Sequence, residues 1–445
     1  MKFKRVICLA AAASALGLSA CASAPAQKEP QASQQPAQTV LKVAAIETAY
    51  GSGMWQQVAQ AFQAQYPTIR VELTLDKNLE DVIGPALKAG DYPDVIHLAT
   101  GRPAALTETL TREKGLAEVS DVLQMTVPGE SQTVSQKLIP GFTQTLATAP
   151  YGDGKTYLMP MFYSPCGLFY DAAFLREKGW EVPATWEEMW ALGDKAKAEG
   201  IALFTYPTAG YFDAFMFALL AEAGGPELLD RVLSYDEGVW ESEETDGFFN
   251  VMEKLLSYVE PTTPANANQQ SFTKNQQLIL DRKALFMPNG TWVVGEMADA
   301  PRAEGFAWGF TALPAMEAGG DRYAFTFFEQ AYIPAQAQHI EDAKQFLAFL
   351  YSDEAARIFA QAGAVQPITS AGSFVGAESQ LFYQVYDQGA KAAMGAFAAT
   401  RAVEGVSMAQ ALMDTVNSLV TGDKTIDNWR AEIIQAADAL RAAKE

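Results

Sequence analysis

An α/β fold is predicted by three features of the sequence. A β-α-β-α-β series opens its body, further strands return well down the chain, and a long helical stretch closes it with no linker in between. The first strand is Val40 to Ile46, a run of branched and small apolar side chains. After the turn Tyr50-Gly51-Ser52-Gly53, Trp55, Val58, Phe62 and Tyr66 recur at helical spacing. Ile69, Val71, Leu73 and Leu75 then alternate with Arg70, Glu72 and Thr74, the pattern of a strand with one polar face. Asn78 opens a second helix with Glu80 and Asp81 near the positive end of its dipole, and Asp94 to Leu98, after Pro93, is a third strand.

Farther on, Tyr151-Gly152-Asp153-Gly154-Lys155 is a turn, and Tyr157 to Pro160 and Gly167 to Tyr170 read as two extended pieces. Thr185 and Glu188 predict a capping box for a helix whose apolar face is Met189, Leu192 and Ala196 and which Gly200 stops. Strands follow at Ile201 to Thr205, Ala284 to Met287, Phe306 to Thr311 and Tyr323 to Ile333, and from Ile340 onward the pattern is almost wholly helical. Domains in such a chain must be interleaved.

The 445 residues are 49% hydrophobic and 19% charged, enough for two or three packed domains and too apolar for general disorder. A net charge of -21 repels phosphate backbones, so nucleic acid is a poor partner. The only histidines are His97 and His339, which starves metal and imidazole-base chemistry of its commonest ligand. No cofactor or metal is expected, and no catalytic residue is assigned. Cys166 is the one cysteine of the body, so no disulfide forms there.

Residues 1–20 read as a signal peptide: Lys2, Lys4 and Arg5 precede an apolar run to Ala20 that is shorter than the ~20 apolar residues of a membrane span. Leu18-Ser19-Ala20-Cys21 resembles the bacterial lipobox, which implies lipidation of Cys21. Residues 21–38, mostly Ala, Pro, Gln and Ser, read as a flexible tether. The expected location is the extracytoplasmic face of the cell membrane, held by lipid.

Several local signals for chemistry fail on spacing. Gly154-Lys155-Thr156 lacks the first glycine of a phosphate loop, since Ala149 and Pro150 stand where it belongs. Asp76, Asn78 and Glu80 begin like a calcium loop, but Asp81 and Leu87 occupy the glycine and bidentate-acid positions. The aromatics are more informative. Phe162-Tyr163, Tyr206, Tyr211-Phe212, Trp292 and Phe327-Phe328 lie at or just beyond strand ends rather than in helical stripes. Together they suggest platforms for the apolar face of a sugar ring, with Glu47, Arg102, Asp213, Asn289 and Glu329 offering hydrogen-bond partners to its hydroxyls.

Several segments in order along the chain resemble the carbohydrate-binding group of extracellular solute-binding proteins of bacterial ABC importers, the group that includes the maltose-binding protein. They are Gly90-Asp91-Tyr92-Pro93-Asp94-Val95-Ile96, Gly154 to Pro160, Leu168-Phe169-Tyr170-Asp171, Pro183 to Glu188, Asn289-Gly290-Thr291-Trp292, and Ala343 to Leu347 with Ser352-Asp353-Glu354-Ala355. The resemblance implies a two-lobed, type II periplasmic-binding-protein-like fold with a cleft and a hinge. It also implies a monomeric, non-enzymatic receptor that takes a mono- or oligosaccharide and passes it to a membrane permease. On the two-lobed arrangement that the resemblance implies, the expected division is a first lobe over 39–150, rejoined by about 284–332, and a second over 151–283, rejoined by about 333–445. By matching position, Arg102, Tyr211, Phe212 and Trp292 resemble ligand contacts of the sugar-binding relatives. Leu98 stands where the maltose binder has a tryptophan, which implies a ligand other than maltodextrin. A receptor of the same fold that reports to a signalling kinase, or that binds a non-sugar ligand, is the alternative.

Overall fold

The computed structural model describes residues 39–444, apart from 49, 101, 103, 140 and 144 and the side chains of 209, 210 and 378. The expected signal segment 1–20, Cys21 and the tether 21–38 lie outside the described residues.

The strands are β1 (Thr39–Ile46), β2 (Ile69–Asp76), β3 (Val95–Leu98), β4 (Leu158–Asp171), β5 (Ala202–Phe204), β6 (Ala284–Gly290), β7 (Trp308–Thr311), β8 (Tyr323–Tyr332) and β9 (Lys391–Ala393). They run in the order β2-β1-β3-β8-β4-β6-β5, with β7 on β4 and β9 on β8. β1 is parallel to both its neighbours and is covered on both faces: Leu41, Val43 and Ala45 enter one core, Ala44 and Ile46 another. Its sequence is therefore a continuous apolar run, whereas β2 at the sheet edge alternates.

Two strands carry the chain from one lobe to the other. β4 is a single strand of 14 residues rather than two pieces, and it runs antiparallel to β8. Pro160 and Pro165 lie in the part of β4 that β6 and β7 do not yet flank, since those strands join it only from Cys166 and Leu168 onward. Proline is tolerated at such an edge. Between Pro160 and Tyr163 the pairing with β8 shifts by one residue, a bulge on β4 that bends the strand.

The two cores meet at this bend. Tyr163 and Phe328 pack with Trp55, Phe62, Phe346 and Phe359 in the first lobe, whereas Cys166 and Phe325 pack with Phe215, Trp240 and Trp429 in the second. The chain passes over again between Val375 and Phe382. The returns thus fall later than the boundaries expected from sequence. β6 pairs with β4 and β5, and Leu285, Phe286 and Leu313 enter the second lobe's core, so 284–325 does not rejoin the first lobe. Residues Phe346 to Val375 pack in the first lobe instead, and Ala393 and Met408 to Leu440 in the second, while Met394 and Ala396 touch the first lobe's core. An apolar strand pattern reports burial but not which sheet will accept the strand.

Two local expectations also shift. Thr185 Oγ1 accepts from the Glu188 N–H at 3.2 Å, but the Glu188 carboxylate takes the N–H of Ala184 at 2.7 Å, not that of Thr185, so the box is offset by one residue. The C-terminal stretch is interrupted by β9 and by a π-helical segment at Gln410–Asp414. Among the described residues, no helix is long and apolar enough to cross a membrane.

Candidate functional site

The bulge places the middle of β4 and β8 at the floor of a cavity of about 1080 Å³, the size of a site for a small or oligomeric ligand. The first lobe contributes Thr48 and Tyr50 from the loop after β1, Phe162 and Tyr163 from the bulge, Glu329 from β8, and the Ala360 to Val365 region. The second contributes Thr291 to Arg302 after β6, Phe306 to Trp308 at the start of β7, and residues from Gly376 to Tyr383. Ser164 and Thr291 join the two sides of the floor through a 2.6 Å hydroxyl pair.

Of the residues singled out from sequence, Phe162, Tyr163, Trp292 and Glu329 line this cavity. Trp292 stands edge-on to Phe327, with ring centroids 6.2 Å apart, and its ring lies on the backbone of Gly290 so closely that a Cβ there would come within 2.1 Å of it. This is why the Asn-Gly-Thr-Trp segment needs its glycine. Glu329 accompanies His97, whose Nε2 lies 3.0 Å from the Glu329 Oε2.

The other candidates are placed elsewhere. Phe328 points into the first lobe's core, and Phe327, its neighbour in the alternation of β8, faces the cavity instead. Tyr206 and Phe212 are fully buried in the second lobe, where the Tyr206 hydroxyl donates to Asn417 Oδ1 at 2.7 Å. Asn289 is buried in β6 and accepts from the Gly290 N–H at 2.9 Å. Arg102 grips Glu80 with bonds of 2.5 and 2.9 Å, which holds the Glu80 carboxyl below its ordinary range. Tyr211 borders the cavity without lining it: its ring packs 6.2 Å from Trp292 and its hydroxyl donates to Glu296 at 3.3 Å. Glu47 is half-buried at the end of β1, where its N–H donates to the Asp76 carbonyl, and it is not among the lining residues.

Asp213 begins the helix Asp213–Leu233, its Oδ1 accepting from the Ala214 N–H at 2.5 Å. Burial pushes its carboxyl up to about 6 in spite of that bond. The folded state thus binds a proton that the unfolded chain has already released, and folding carries a penalty that is complete above about pH 6 and absent below the unfolded value of 3.8. Asp213→Asn is therefore expected to raise the melting temperature at pH 7.5 and to leave it unchanged near pH 3.5. Melting curves of both chains across that range check this, and a gain that is equal at the two pH values contradicts it.

Tyr50, Arg302, Phe306, Trp308 and Tyr383 line the cavity without having been singled out from sequence. Burial, followed by the Glu329 charge, raises the Tyr50 phenol, so at neutral pH it is a hydrogen-bond donor. Arg302 donates to the carbonyls of Met297 and Ala298 at 2.6 and 2.9 Å while lying over Phe306. The cavity thus offers broad aromatic faces, a few hydroxyls and the carboxylates of Glu329 and Glu296. Among the described residues there is no cluster of three His, Cys, Asp or Glu side chains that could hold a metal ion.

Residues 57–373 match the model of a family described as bacterial extracellular solute-binding protein. The chain belongs to that family. Among the relatives of this solute-binding protein is a diacetylchitobiose binding protein of Streptomyces coelicolor, 23% identical over 73% of this chain and 68% of the relative. Another is a maltotriose-binding protein of Pyrococcus abyssi, 23% identical over 61% of this chain and 52% of its own length. Solved structures share the fold. The solute receptor AcbH superposes with a TM-score of 0.72 at 16% identity, covering 91% of this chain and 99% of that one. The apo form of RafE from Streptococcus pneumoniae gives 0.69 at 18% identity, covering 93% and 100%. The two-lobed fold of this solute-binding protein is thus shared with solved structures, and its family is described as extracellular.

Proposed function

We propose that this solute-binding protein captures a neutral mono- or oligosaccharide in the cleft and hands it to the permease of an ABC importer, without altering it. The observation that carries the reading is the cavity itself, whose aromatic rings come from both lobes and whose carboxylates and hydroxyls stand between them. An apolar ring face stacks on an aromatic side chain while sugar hydroxyls donate to carboxylates, a combination suited to pyranoses and poorly suited to anions. Relatives named for diacetylchitobiose, maltotriose and raffinose support the same ligand class.

Binding to both lobes favours a closed arrangement, because a ligand shifts an open-closed equilibrium only by its greater affinity for one state. The bulge in β4 and the Val375 to Phe382 crossing are the natural hinge. In this reading Cys21 carries the lipid, residues 21–38 tether the body to the membrane, and the receptor acts as a monomer.

A melting-temperature screen of the purified chain against neutral mono- and oligosaccharides, with amino acids and short peptides as controls, tests the ligand class. At 100 times its dissociation constant a ligand adds about 2.7 kcal/mol. Stabilisation by one family of sugars, recovered unchanged afterwards, is the expected result. Stabilisation by peptides or amines alone overturns it.

A further inference from the structure

Beneath the cleft floor lies a pair of side chains that solute capture has not yet accounted for. His97 is fully buried on β3, and its Nε2 lies 3.0 Å from Oε2 of Glu329, which is 8% exposed and lines the cavity. The imidazole is packed against Trp55, at 5.0 Å between ring centroids, and Phe162, at 5.1 Å. Across the sheet it faces Ala45 of β1 and Ala331 of β8. Among the described residues neither ring nitrogen makes a hydrogen bond of good geometry, nor does the Glu329 Oε2, and the 3.0 Å approach of Nε2 to Oε2 is the polar contact that joins these buried atoms.

A histidine so enclosed has one group to satisfy it. Carboxylate oxygens only accept, so a bond across this contact requires a proton on Nε2. An apolar residue at position 97 would pack as well against Trp55 and Phe162, and would leave the buried oxygen of Glu329 unpaired. β1 sets Ala45 opposite His97 in the sheet, and Phe162 of β4 and Trp55 of the helix Gly53–Gln65 pack their rings against the imidazole. The Glu329 charge also acts on Arg102, itself committed to Glu80, and on the Tyr50 phenol.

Building on the saccharide reading above, we infer that His97 is a positioning residue of the cleft: by donating Nε2–H to Oε2 from below, it fixes the Glu329 carboxylate so that its other oxygen accepts a hydroxyl of the bound sugar. The ligand does not touch His97. Its contribution is orientation, since a carboxylate already anchored on one oxygen loses less freedom when the ligand arrives.

The chain has only two histidines, so nitrogen-15 labelling of histidine gives a spectrum that a single His339→Gln variant assigns. The Nε2-protonated tautomer is expected for His97 in the wild type, with its signal displaced by Glu329→Gln and again by a saturating stabilising saccharide. His97→Phe is expected to weaken saccharide binding about tenfold and His97→Gln, which keeps a donor, by less than threefold. In the Glu329→Gln background the His97→Phe loss should vanish. An Nδ1-protonated ring, a His97 signal indifferent to Glu329→Gln, or a His97→Phe loss that persists without the carboxylate each overturns the inference. If the tautomer and its response to Glu329 are as expected but no saccharide binds, the hydrogen bond stands, while the saccharide reading and the ligand role of Glu329 fall together.

Discussion

Trp292→Ala is expected to weaken saccharide binding by about 100-fold, roughly 2.7 kcal/mol, the loss typical of a buried aromatic anchor. Trp292 stands in the cavity wall of the second lobe, and its ring is held by contacts with Tyr211 and Phe327 and by the bare backbone of Gly290. It is partly exposed and lies outside the fully buried cores, so the variant should melt within a few degrees of the wild type. Gly290→Ala tests the same point from behind. Its new Cβ cannot share space with the indole, so the ring must turn away and affinity should fall even though Trp292 is still present. Calorimetric titration of both variants with a saccharide that stabilises the wild type gives the answer. Unchanged affinity in Trp292→Ala removes the indole from the site.

Lys137→Met carries the largest expected loss of stability, about 1–2 kcal/mol because its two carboxylate partners are partly solvated, a fall of roughly 1–3 °C in melting temperature for a chain of this size. The Lys137 side chain is 2% exposed, and its Nζ donates to Glu130 Oε2 at 2.6 Å and to Asp353 Oδ1 at 2.7 Å. Asp353 also accepts from Ser370, and the Asp353 N–H donates to Glu130. The cluster ties the segment before β4 to the helix Asp353–Gln361. Removing the cation leaves two partly exposed carboxylates near one another without a shared counter-charge. The Lys137 bond holds the Asp353 carboxyl below its ordinary value, so this share of stability is present above the unfolded carboxyl range and lost as pH falls through the folded value. The deficit of Lys137→Met should accordingly shrink on acidification. Thermal melts at pH 7 and pH 3.5 check it, and a variant as stable as the wild type at pH 7 contradicts it.

The parts of the fold legible in the sequence are those set by local pattern. The alternation from Ile69 to Leu75 and the apolar run from Val40 to Ile46 each become the strand they describe, and the helix from Trp186 to Ala198 ends where Gly200 adopts a positive φ of 76°. Aromatics outside helical stripes likewise mark the cavity wall at Phe162, Tyr163 and Trp292, although the first two lie inside β4 and not at a strand end as expected. What pattern cannot supply is register and long-range pairing. The bulge at Pro160 to Tyr163 is invisible in composition, and with it the faces of Phe327 and Phe328 are undecided, so the cavity receives one and the core the other. Arg102 looked available to a ligand because Glu80, its partner, is 22 residues away on another element. Phe306, Trp308 and Tyr383 are brought to the cavity by the pairing of β7 with β4 and by the last crossing between lobes, which no local signal announces.

In the proposed function both lobes hold one saccharide between them and close on it about the β4–β8 bend. Small-angle X-ray scattering of the purified chain, alone and saturated with the saccharide that most raises its melting temperature, tests this directly. A smaller radius of gyration in the complex is the predicted result. A saccharide that binds and stabilises the chain while the radius stays unchanged would contradict the account, since the ligand would then be held by one lobe alone.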